Sequence, residues 1–184
     1  EEIWNEIRAG CEGARGMTYS RLEQAGLQWP CPSEAHEGTP ILHVDAFASG
    51  ARAPLRVVEY RATPEHTTPK YPFVLTTGRT LYQFNAATMT GRCRTQELRP
   101  SDLLDISAAD ANMAGIGDGD VARVISRYGS ATMPIRSTTA MRAGELFATF
   151  HNARTSLNSV TSSHGDRTVS TPEYKVTAVR IEKV

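Results

Sequence analysis

From residue 71 onward the chain consists of short apolar or alternating stretches separated by turn residues. Alternation of apolar and polar side chains with a period of two is typical of strands that bury one face. The six predicted strands cover residues 71–77, 103–106, 121–126, 131–137, 146–150 and 175–182. Six short strands joined by turns and short helices predict a small closed β-barrel.

A capped helix and a glycine-rich turn are predicted between the second and third of these strands. Ser107 precedes residues 108–113, and Asp110 stands at the third helical position, as in a capping box. The following turn contains Gly119 and Asp120. Glycine gives the backbone the freedom that a tight turn needs, and the aspartate carboxylate can accept backbone N–H groups within that turn.

Residues 1–70 lack the alternating pattern. A first helix is predicted from the helical spacing of three apolar residues, Ile3, Trp4 and Ile7. A second helix is predicted over residues 18–25, with Thr18 as its N-cap. Prolines interrupt the remainder and leave one predicted strand over residues 55–60. The sequence therefore predicts a partly helical, loop-rich arm over residues 1–70 and a barrel domain over residues 71–184.

Charge is balanced over the whole chain but not along it. Twenty Lys and Arg offset twenty Asp and Glu, so neither nucleic acid nor a membrane is an expected partner. Residues 71–184 hold thirteen basic and ten acidic side chains, and the basic ones are nearly all Arg, whose planar fork pairs with phosphate. A bound anion would explain this excess, and a solvated surface with scattered Arg is the alternative.

The cysteines and the apolar runs narrow the class of protein further. Cys11, Cys31 and Cys93 are too few and too widely spaced for a disulfide framework or a Cys-x-x-Cys metal pair. No apolar run approaches the roughly 18–20 residues of a membrane span, and no signal peptide is visible. The chain opens at Glu1 inside a predicted helix, so it is expected to be a piece of a longer protein. The sequence does not decide between a cytoplasmic and a periplasmic location.

Motifs spread over nearly the whole chain resemble one family. LDISAADANMAGIGDGDVARVISRYG at 104–129 resembles the strand–helix–turn–strand unit of double-psi β-barrels. YPFVLTTGRTLYQFNAATMTGR at 71–92 and TPEYK at 171–175 resemble the C-terminal, molybdopterin-dinucleotide-binding domain of formate dehydrogenases, periplasmic nitrate reductases and related molybdopterin oxidoreductases. GLQWPCP at 26–32 and GTPIL at 38–42 resemble the part that precedes that domain. The resemblance is greatest to a formate dehydrogenase alpha subunit, and it implies a six-stranded double-psi β-barrel.

The resemblance implies a function as well as a fold. It implies the C-terminal cofactor-binding domain of a molybdenum or tungsten oxidoreductase that converts formate to CO2 in a two-electron reaction. Nitrate reductase or another enzyme of the same family is the alternative. A stand-alone double-psi module that binds proteins or peptides is the alternative of another class, although such a module needs neither flanking motif.

The implied cofactor is molybdopterin guanine dinucleotide, whose Mo or W is held by the rest of the enzyme. The resemblance places the metal ligand, the iron–sulfur motif and the catalytic residues in preceding regions. No catalytic or metal-binding residue is therefore expected in this chain, and the isolated chain is expected to be inactive and free of cofactor. The expected partners are the rest of the catalytic subunit and electron-transfer subunits.

The first group of candidate cofactor-binding residues follows the first predicted strand. Thr77, Gly78 and Arg79 offer a hydroxyl, close backbone approach and a guanidinium, which a pyrophosphate or a pterin edge requires. Thr88 and Thr90 offer two hydroxyls on a loop where the family contacts the cofactor. The alternatives are a surface Arg at a strand end and a solvated, Thr-rich loop.

The second group lies near the last predicted strand. The amide of Asn158 can both donate and accept, which suits a pterin or guanine edge, and an ordinary turn-capping Asn is the alternative. Tyr174 and Lys175 stand where the equivalent pair of the family approaches the pterin, although Lys175 can equally be an exposed strand-end Lys. His151 lies in a region near the cofactor in relatives, but a lone His is more often structural.

Overall fold

The structure, a computed structural model, describes residues 1–184 and shows two compact units, Glu1–Glu59 and Tyr60–Val184. Each unit has a hydrophobic cluster of its own. Residues 60–70, predicted to belong to the arm, lie in the second compact unit. The division of the chain into an arm and a cofactor-binding domain stays a prediction.

A closed barrel of six strands forms the second unit. The strands are β1 (Phe73–Gly78), β2 (Leu104–Ile106), β3 (Val121–Ile125), β4 (Ser130–Ser137), β5 (Glu145–Thr149) and β6 (Thr177–Lys183). Their order around the barrel is β1-β5-β2-β4-β3-β6, so no strand has a free edge. The predicted six-stranded double-psi β-barrel is thereby confirmed, with every strand close to its predicted bounds.

Two of the six pairings in the barrel are parallel. β1 runs parallel to β5 and β2 parallel to β4, whereas the other four neighbours are antiparallel. Each parallel pair joins strands that are distant in sequence, as parallel connections require. Gly78 lies opposite Thr149, so β1 and β5 end together at one edge of the barrel. The residues that follow these two strands therefore meet at that edge.

Alternating side chains fill the barrel, as the sequence pattern predicts. In β4, Ala131, Met133 and Ile135 are buried, while the intervening side chains point away from the core. Apolar side chains from all six strands meet in one continuous cluster. Its largest fully buried members are Leu75, Leu104, Ile106, Val124, Met133, Ile135, Leu146, Leu157, Val160 and Val179.

Four short α-helices accompany the strands. They are α1 (Glu2–Gly10), α2 (Tyr19–Leu22), α3 (Thr95–Leu98) and α4 (Ala108–Met113). The predicted cap of α4 is confirmed, because Ser107 Oγ accepts the backbone N–H of Asp110 at 3.1 Å. None of the helices is long and apolar enough to cross a lipid bilayer.

The predicted glycine turn before β3 is also confirmed. Gly119 has a φ of +84°, in the left-handed region that glycine adopts without steric cost. The Asp120 carboxylate accepts the backbone N–H of Gly117 at 2.8 Å. Lys183 at the end of β6 donates to the same carboxylate at 2.6 Å, which ties the turn to the last strand.

The first unit, Glu1–Glu59, has only a small apolar cluster. Ala14, Met17 and Cys31 are its buried members, and the indole N–H of Trp4 donates to the Met17 carbonyl at 2.6 Å. Thr18 caps α2 as predicted, although α2 ends at Leu22, earlier than the sequence suggests. The remaining order of this unit comes from polar contacts with backbone carbonyls.

The strand predicted over residues 55–60 is wrong. This segment forms no strand and pairs with no neighbouring strand. Leu55 is 101% exposed and Val57 is 99% exposed. A β-branched, apolar sequence favours extended backbone, but a strand also needs a partner for its N–H and C=O groups, and this segment has none within the chain.

Candidate functional site

The barrel edge at which β1 and β5 end collects most of the predicted site residues. Thr77, Gly78 and Arg79 come from the end of β1, and Phe150 and His151 follow β5. We call this region the β1–β5 edge. It is the place where loops from distant parts of the chain converge, as ligand sites in β-barrels commonly do.

Thr77, Tyr174 and Lys175 form one hydrogen-bonded cluster at this edge. The buried hydroxyl of Thr77 donates to the Tyr174 carbonyl at 2.9 Å. The Lys175 ammonium donates to the Thr77 carbonyl at 2.6 Å. It also lies 5.8 Å from the centre of the Phe150 ring, a cation–π distance. Because an ammonium has three donors and only one is used here, Lys175 keeps two for a ligand.

Gly78 makes room for an aromatic ring. A β-carbon added at Gly78 would come within 2.3 Å of the Phe147 ring, closer than any real contact. In this structure the α-carbon face of Gly78 is therefore covered by Phe147 of the neighbouring strand β5. Any larger residue would displace that ring, so Gly78 sets the shape of the edge through Phe147.

Arg79 projects into a groove beside the β1–β5 edge. Its guanidinium donates to the Asn85 side chain at 3.3 Å and lies 5.5 Å from the centre of the Phe84 ring. The groove has a volume of about 300 Å³. We call it the arginine groove, because its lining includes three arginines, Arg79, Arg99 and Arg136, together with Tyr82 and Phe147.

A carboxylate on the neighbouring strand holds Arg136 in place. Arg136 lies directly opposite Asp105 in the parallel pair of β4 and β2. Its guanidinium donates to Asp105 through Nε, at 2.8 Å, and through Nη2, which makes a bidentate pair. Hydrogen bonding to Asp105 raises the pKa of Arg136 above its ordinary value, with a smaller contribution from Asp118. The Arg136 fork is therefore charged and fixed in orientation.

The two predicted threonines differ in their surroundings. The Thr90 hydroxyl donates to Gln83 Oε1 at 2.6 Å and accepts the Phe84 N–H at 3.1 Å. It therefore organises the loop that follows β1. Thr88 is exposed on the same loop and its hydroxyl makes no hydrogen bond in the structure. Of the two, only Thr88 presents a free hydroxyl.

Asn158 lies in a different recess, which we call the amide recess. This recess measures about 260 Å³ and is lined by Ala86, Phe150, His151, Asn152, Leu157 and Asn158, among others. Asn158 is exposed in a short 3-10 turn, and its backbone carbonyl accepts the Thr161 hydroxyl at 2.9 Å. Its side-chain amide makes no hydrogen bond with the protein.

A buried carboxylate, Asp102, fixes the end of β5 and the residues that follow it. Asp102 is fully buried and accepts the Thr149 hydroxyl at 2.8 Å and the backbone N–H of His151 at 2.9 Å. The Nε2 of His151 lies 3.1 Å from the Arg99 carbonyl, to which it can donate. Its Nδ1 lies 2.9 Å from Asp102 Oδ1 but outside hydrogen-bonding geometry. His151 is thus held by the fold from both sides.

The structure brings some of the predicted residues together and separates others. Thr77, Gly78, Tyr174 and Lys175 are contiguous, and Arg79 lies next to them in the arginine groove. Asn158 lies in the amide recess. Lys175 also borders a third recess of about 640 Å³, whose walls carry both basic and acidic side chains.

Several residues of this region were missed by the sequence reasoning. Arg99 and Arg136 line the arginine groove, and Asp102 orders the chain after β5. Alternation in β4 indicates that Arg136 points away from the core, because Ile135 points inward. No sequence signal shows that Arg99 reaches the same groove. No three His, Cys, Asp or Glu side chains are grouped so that they could hold a metal ion.

Comparison with known protein families gives one match. Residues 73–178 match the family described as Molydopterin dinucleotide binding domain. The matched segment begins at the first residue of β1 and ends inside β6, so it contains the whole β1–β5 edge.

Relatives with curated descriptions match along the entire chain. The chain is 40% identical to the F420-dependent formate dehydrogenase subunit alpha of Methanocaldococcus jannaschii, over 100% of this chain and 28% of that protein. It is 31% identical to the periplasmic nitrate reductase of Desulfovibrio desulfuricans, over 100% of this chain and 27% of that protein. The chain therefore spans little more than a quarter of the length of these relatives.

A solved structure supports the fold. Acetylene hydratase from Pelobacter acetylenicus is similar over 62% of this chain and 18% of its own chain, with a TM-score of 0.54 and 14% sequence identity. At that identity the likeness concerns the barrel fold alone.

Proposed function

This chain belongs to the molybdopterin dinucleotide-binding domain family, and on that premise we propose that it is the cofactor-binding C-terminal domain of a formate dehydrogenase-like molybdenum or tungsten oxidoreductase. The proposed ligand is molybdopterin guanine dinucleotide. When bound, this cofactor supplies the two-electron redox chemistry, while the chain binds and orients it. The observation that carries the proposal is the convergence of Thr77, Arg79 and Lys175 at the edge that the family match contains.

The side chains at the β1–β5 edge fit such a cofactor. A dinucleotide offers negative phosphates and planar heterocycles with donors and acceptors. Arg79 and Lys175 provide positive charge with donors left free, and the unpartnered amide of Asn158 can pair with a heterocycle edge. Thr88 can add a hydroxyl from the loop after β1. Thr77, Thr90 and Tyr174 act through their bonds within the protein, which hold those groups in position.

Lys175 illustrates how the chain would orient the ligand. Its ammonium is held against the Thr77 carbonyl, and Thr77 in turn holds the carbonyl of Tyr174. Both contacts lie within the chain and restrict the Lys175 side chain, which would reduce the side-chain freedom lost on binding. The rings of Phe150 and Tyr174 lie 5.8 and 5.5 Å from the ammonium, within cation–π range, and Lys175 stays exposed and accessible to an anion.

Formate oxidation is the preferred substrate assignment. Three relatives described as F420-dependent formate dehydrogenase alpha subunits match at 40%, 35% and 32% identity over the full chain. Nitrate reduction is the second candidate, supported by the 31% identity to a periplasmic nitrate reductase. Assay of the full-length enzyme with formate and with nitrate decides between them, since turnover of nitrate alone would overturn the preferred assignment.

The alternative of a stand-alone module that binds proteins or peptides has weaker support. The family match covers the flanking motifs at both ends of the barrel, and a peptide-binding module needs neither. In the proposed enzyme the partner of this chain is the rest of the catalytic subunit, with electron-transfer subunits as further partners. Catalytic residues and metal ligands would come from that remaining part, so the 184-residue chain alone should be inactive.

The decisive test is the substitution Arg79→Ala in the full-length enzyme. A charge-assisted hydrogen bond contributes on the order of 1.5–3 kcal/mol, which corresponds to roughly a tenfold to hundredfold change in affinity. We expect the variant to contain less cofactor, measured by release and quantification of the pterin, while the barrel stays folded. Arg123→Ala, an exposed arginine on β3 outside the groove, is the matched control. If the Arg79→Ala variant kept its full cofactor content, or lost its fold, the assignment of Arg79 as a cofactor-binding residue would be wrong.

A further inference from the structure

Three arginines line one groove, whose other lining residues are Thr80, Leu81, Tyr82, Leu98 and Phe147. Arg79 follows β1, Arg99 follows α3, and Arg136 lies in β4, so three separate parts of the chain converge there. Leu81 and Leu98 are exposed, so the groove is open to solvent and its attraction for an anion rests on the arginines that line it.

The charges in the arginine groove are unbalanced. Asp105 pairs with Arg136 and neutralises its charge. Neither Arg79 nor Arg99 takes part in an ion pair. Arg79 and Arg99 therefore bring positive charge to the groove without a paired carboxylate, and a bound anion would supply the counter-charge.

The three arginines are held in different ways: Arg136 and Arg79 by other side chains, and Arg99 through its backbone. Asp105 holds Arg136 through two hydrogen bonds. The backbone at Arg99 is fixed because its carbonyl accepts the Gln83 amide and faces His151 Nε2, both at 3.1 Å. Arg79 is held by Asn85. For Arg136 and Arg79, whose guanidinium groups have partners, this reduces the entropy lost when they bind an anion.

The other recesses of the barrel unit lack this charge pattern. The amide recess has no Arg or Lys among its lining residues. The third recess combines Arg61, Arg167 and Lys175 with the carboxylates of Asp166 and Glu173, so its charges largely cancel. Three basic side chains against two carboxylates leave the third recess a net charge of one, whereas the arginine groove is lined by three arginines and no carboxylate.

We propose that Arg99 and Arg136, together with Arg79, bind the diphosphate of the dinucleotide in the arginine groove. This assignment rests on the proposed function, and it adds two residues and a specific part of the ligand. Guanidinium forks pair bidentately with phosphate oxygens, and Arg79 and Arg99 can each offer a fork to a diphosphate. Arg136, whose Nε and Nη2 bind Asp105, can offer its remaining N–H donors. The uncharged amide recess, with Phe150 and Asn158, is then left for a planar heterocycle.

The test uses inorganic pyrophosphate as the probe and the 184-residue chain as the protein. Isothermal titration at constant ionic strength is compared for the unsubstituted chain, Arg99→Gln and Arg136→Gln, with Arg123→Gln as the matched control that removes the same charge elsewhere. We expect affinity for pyrophosphate to fall about tenfold or more in the two groove variants. The control should bind like the unsubstituted chain. Equal affinities in all four proteins would overturn the proposal.

Arg99→Gln carries the test even if Arg136→Gln fails to fold. Removing Arg136 leaves the nearly buried Asp105 carboxylate without its partner, which destabilises β2 and β4. The side chain of Arg99, in contrast, makes no ion pair whose loss would unfold the barrel. A thermal melt of each variant separates loss of binding from loss of structure.

A second measurement separates this proposal from the proposed function. In the full-length enzyme, Arg99→Gln should lower cofactor content as Arg79→Ala does. If Arg79→Ala loses cofactor while Arg99→Gln keeps it, the domain binds the cofactor but the diphosphate lies elsewhere. If Arg99→Gln instead makes the full-length enzyme sensitive to protease with its cofactor content intact, the groove is an interface with the rest of the protein. Either result overturns the diphosphate assignment.

Discussion

The two compact units differ in what holds them together. In Tyr60–Val184, fifteen buried apolar residues form one cluster inside a ring of strands with no free edge. In Glu1–Glu59, three buried residues form the cluster. There, Arg21 donates to the carbonyls of Gly16 and His36, at 2.6 and 2.7 Å. The first unit therefore relies on polar contacts and the second on burial, which predicts a lower free energy of local opening for the first.

The largest expected effect is a core truncation in the barrel. Leu75→Ala removes a fully buried side chain from β1 and leaves a cavity. We expect a loss of about 2–5 kcal/mol in the free energy of unfolding, measured by denaturant titration. Leu55→Ala is the matched control, because Leu55 is 101% exposed and its loss should change stability by less than about 0.5 kcal/mol. If the two substitutions lowered the free energy of unfolding by similar amounts, the difference proposed between the two units would be wrong.

A buried carboxylate gives the second largest expected effect. Glu65 accepts the Tyr128 hydroxyl at 2.7 Å and the backbone N–H of Ala178 at 2.8 Å, and it pairs with Arg127 at 3.2 Å. Glu65→Ala leaves these donors unpaired inside the barrel unit. We expect a loss of roughly 2–3 kcal/mol in the free energy of unfolding.

The ionisation of Tyr128 offers an independent measurement of the same contact. Burial, followed by the hydrogen bond to Glu65, raises the pKa of Tyr128 to about 12. Removing the carboxylate should lower that pKa towards the ordinary tyrosine value of 10.0, which ultraviolet titration of the phenol detects. An unchanged Tyr128 titration in a folded Glu65→Ala variant would show that the contact is not formed in solution.

The pattern of apolar and polar residues was enough to predict a barrel of six strands. The order in which the strands pair, and the residues that meet at the candidate site, could be found only from the structure. Alternation over residues 121–126 predicts which side chains face inward, and the folded barrel agrees. The alternation predicted over residues 175–182 is not matched by burial, because Thr177, Ala178 and Val179 are all buried. The same reasoning failed for residues 55–60, since a local pattern cannot supply a neighbouring strand. The arginine groove depends on parallel pairing of distant strands, and periodicity carries no information about which strands become neighbours.

Matched helix caps provide a smaller and sharper comparison. Ser107→Ala removes the cap of α4 in the barrel unit, and Thr18→Ala removes the cap of α2 in the first unit. Each substitution should cost about 1 kcal/mol. Because Ser107 belongs to the cooperative barrel, its loss should speed amide exchange across β3. Loss of Thr18 should speed exchange only within Glu1–Glu59. Faster β3 exchange in Thr18→Ala would show that the two units unfold together.

The smallest expected effect concerns the surface turn before β3. The hydrogen bond from Lys183, with that from Gly117, lowers the pKa of Asp120 below its ordinary value of 3.8. An aspartate whose folded-state pKa is lowered stabilises the protein above its unfolded-state pKa and loses that contribution as pH falls through the folded-state value. Asp120→Asn should therefore be slightly less stable than the unsubstituted chain at neutral pH. The difference in melting temperature should vanish well below pH 3.8, and a difference that grew in acid would contradict this assignment.

Ring closure also fixes the order in which the chain can finish folding during its synthesis. β6 (Thr177–Lys183) is the strand that joins β1 to β3, so the ring stays open until the ribosome has passed Lys183. Lys175 and Tyr174 immediately precede that strand and complete the contacts of Thr77. Until β6 has been synthesised, β1 and β3 therefore each present an unpaired strand edge in the nascent barrel, and the contacts that Tyr174 and Lys175 make with Thr77 are still missing.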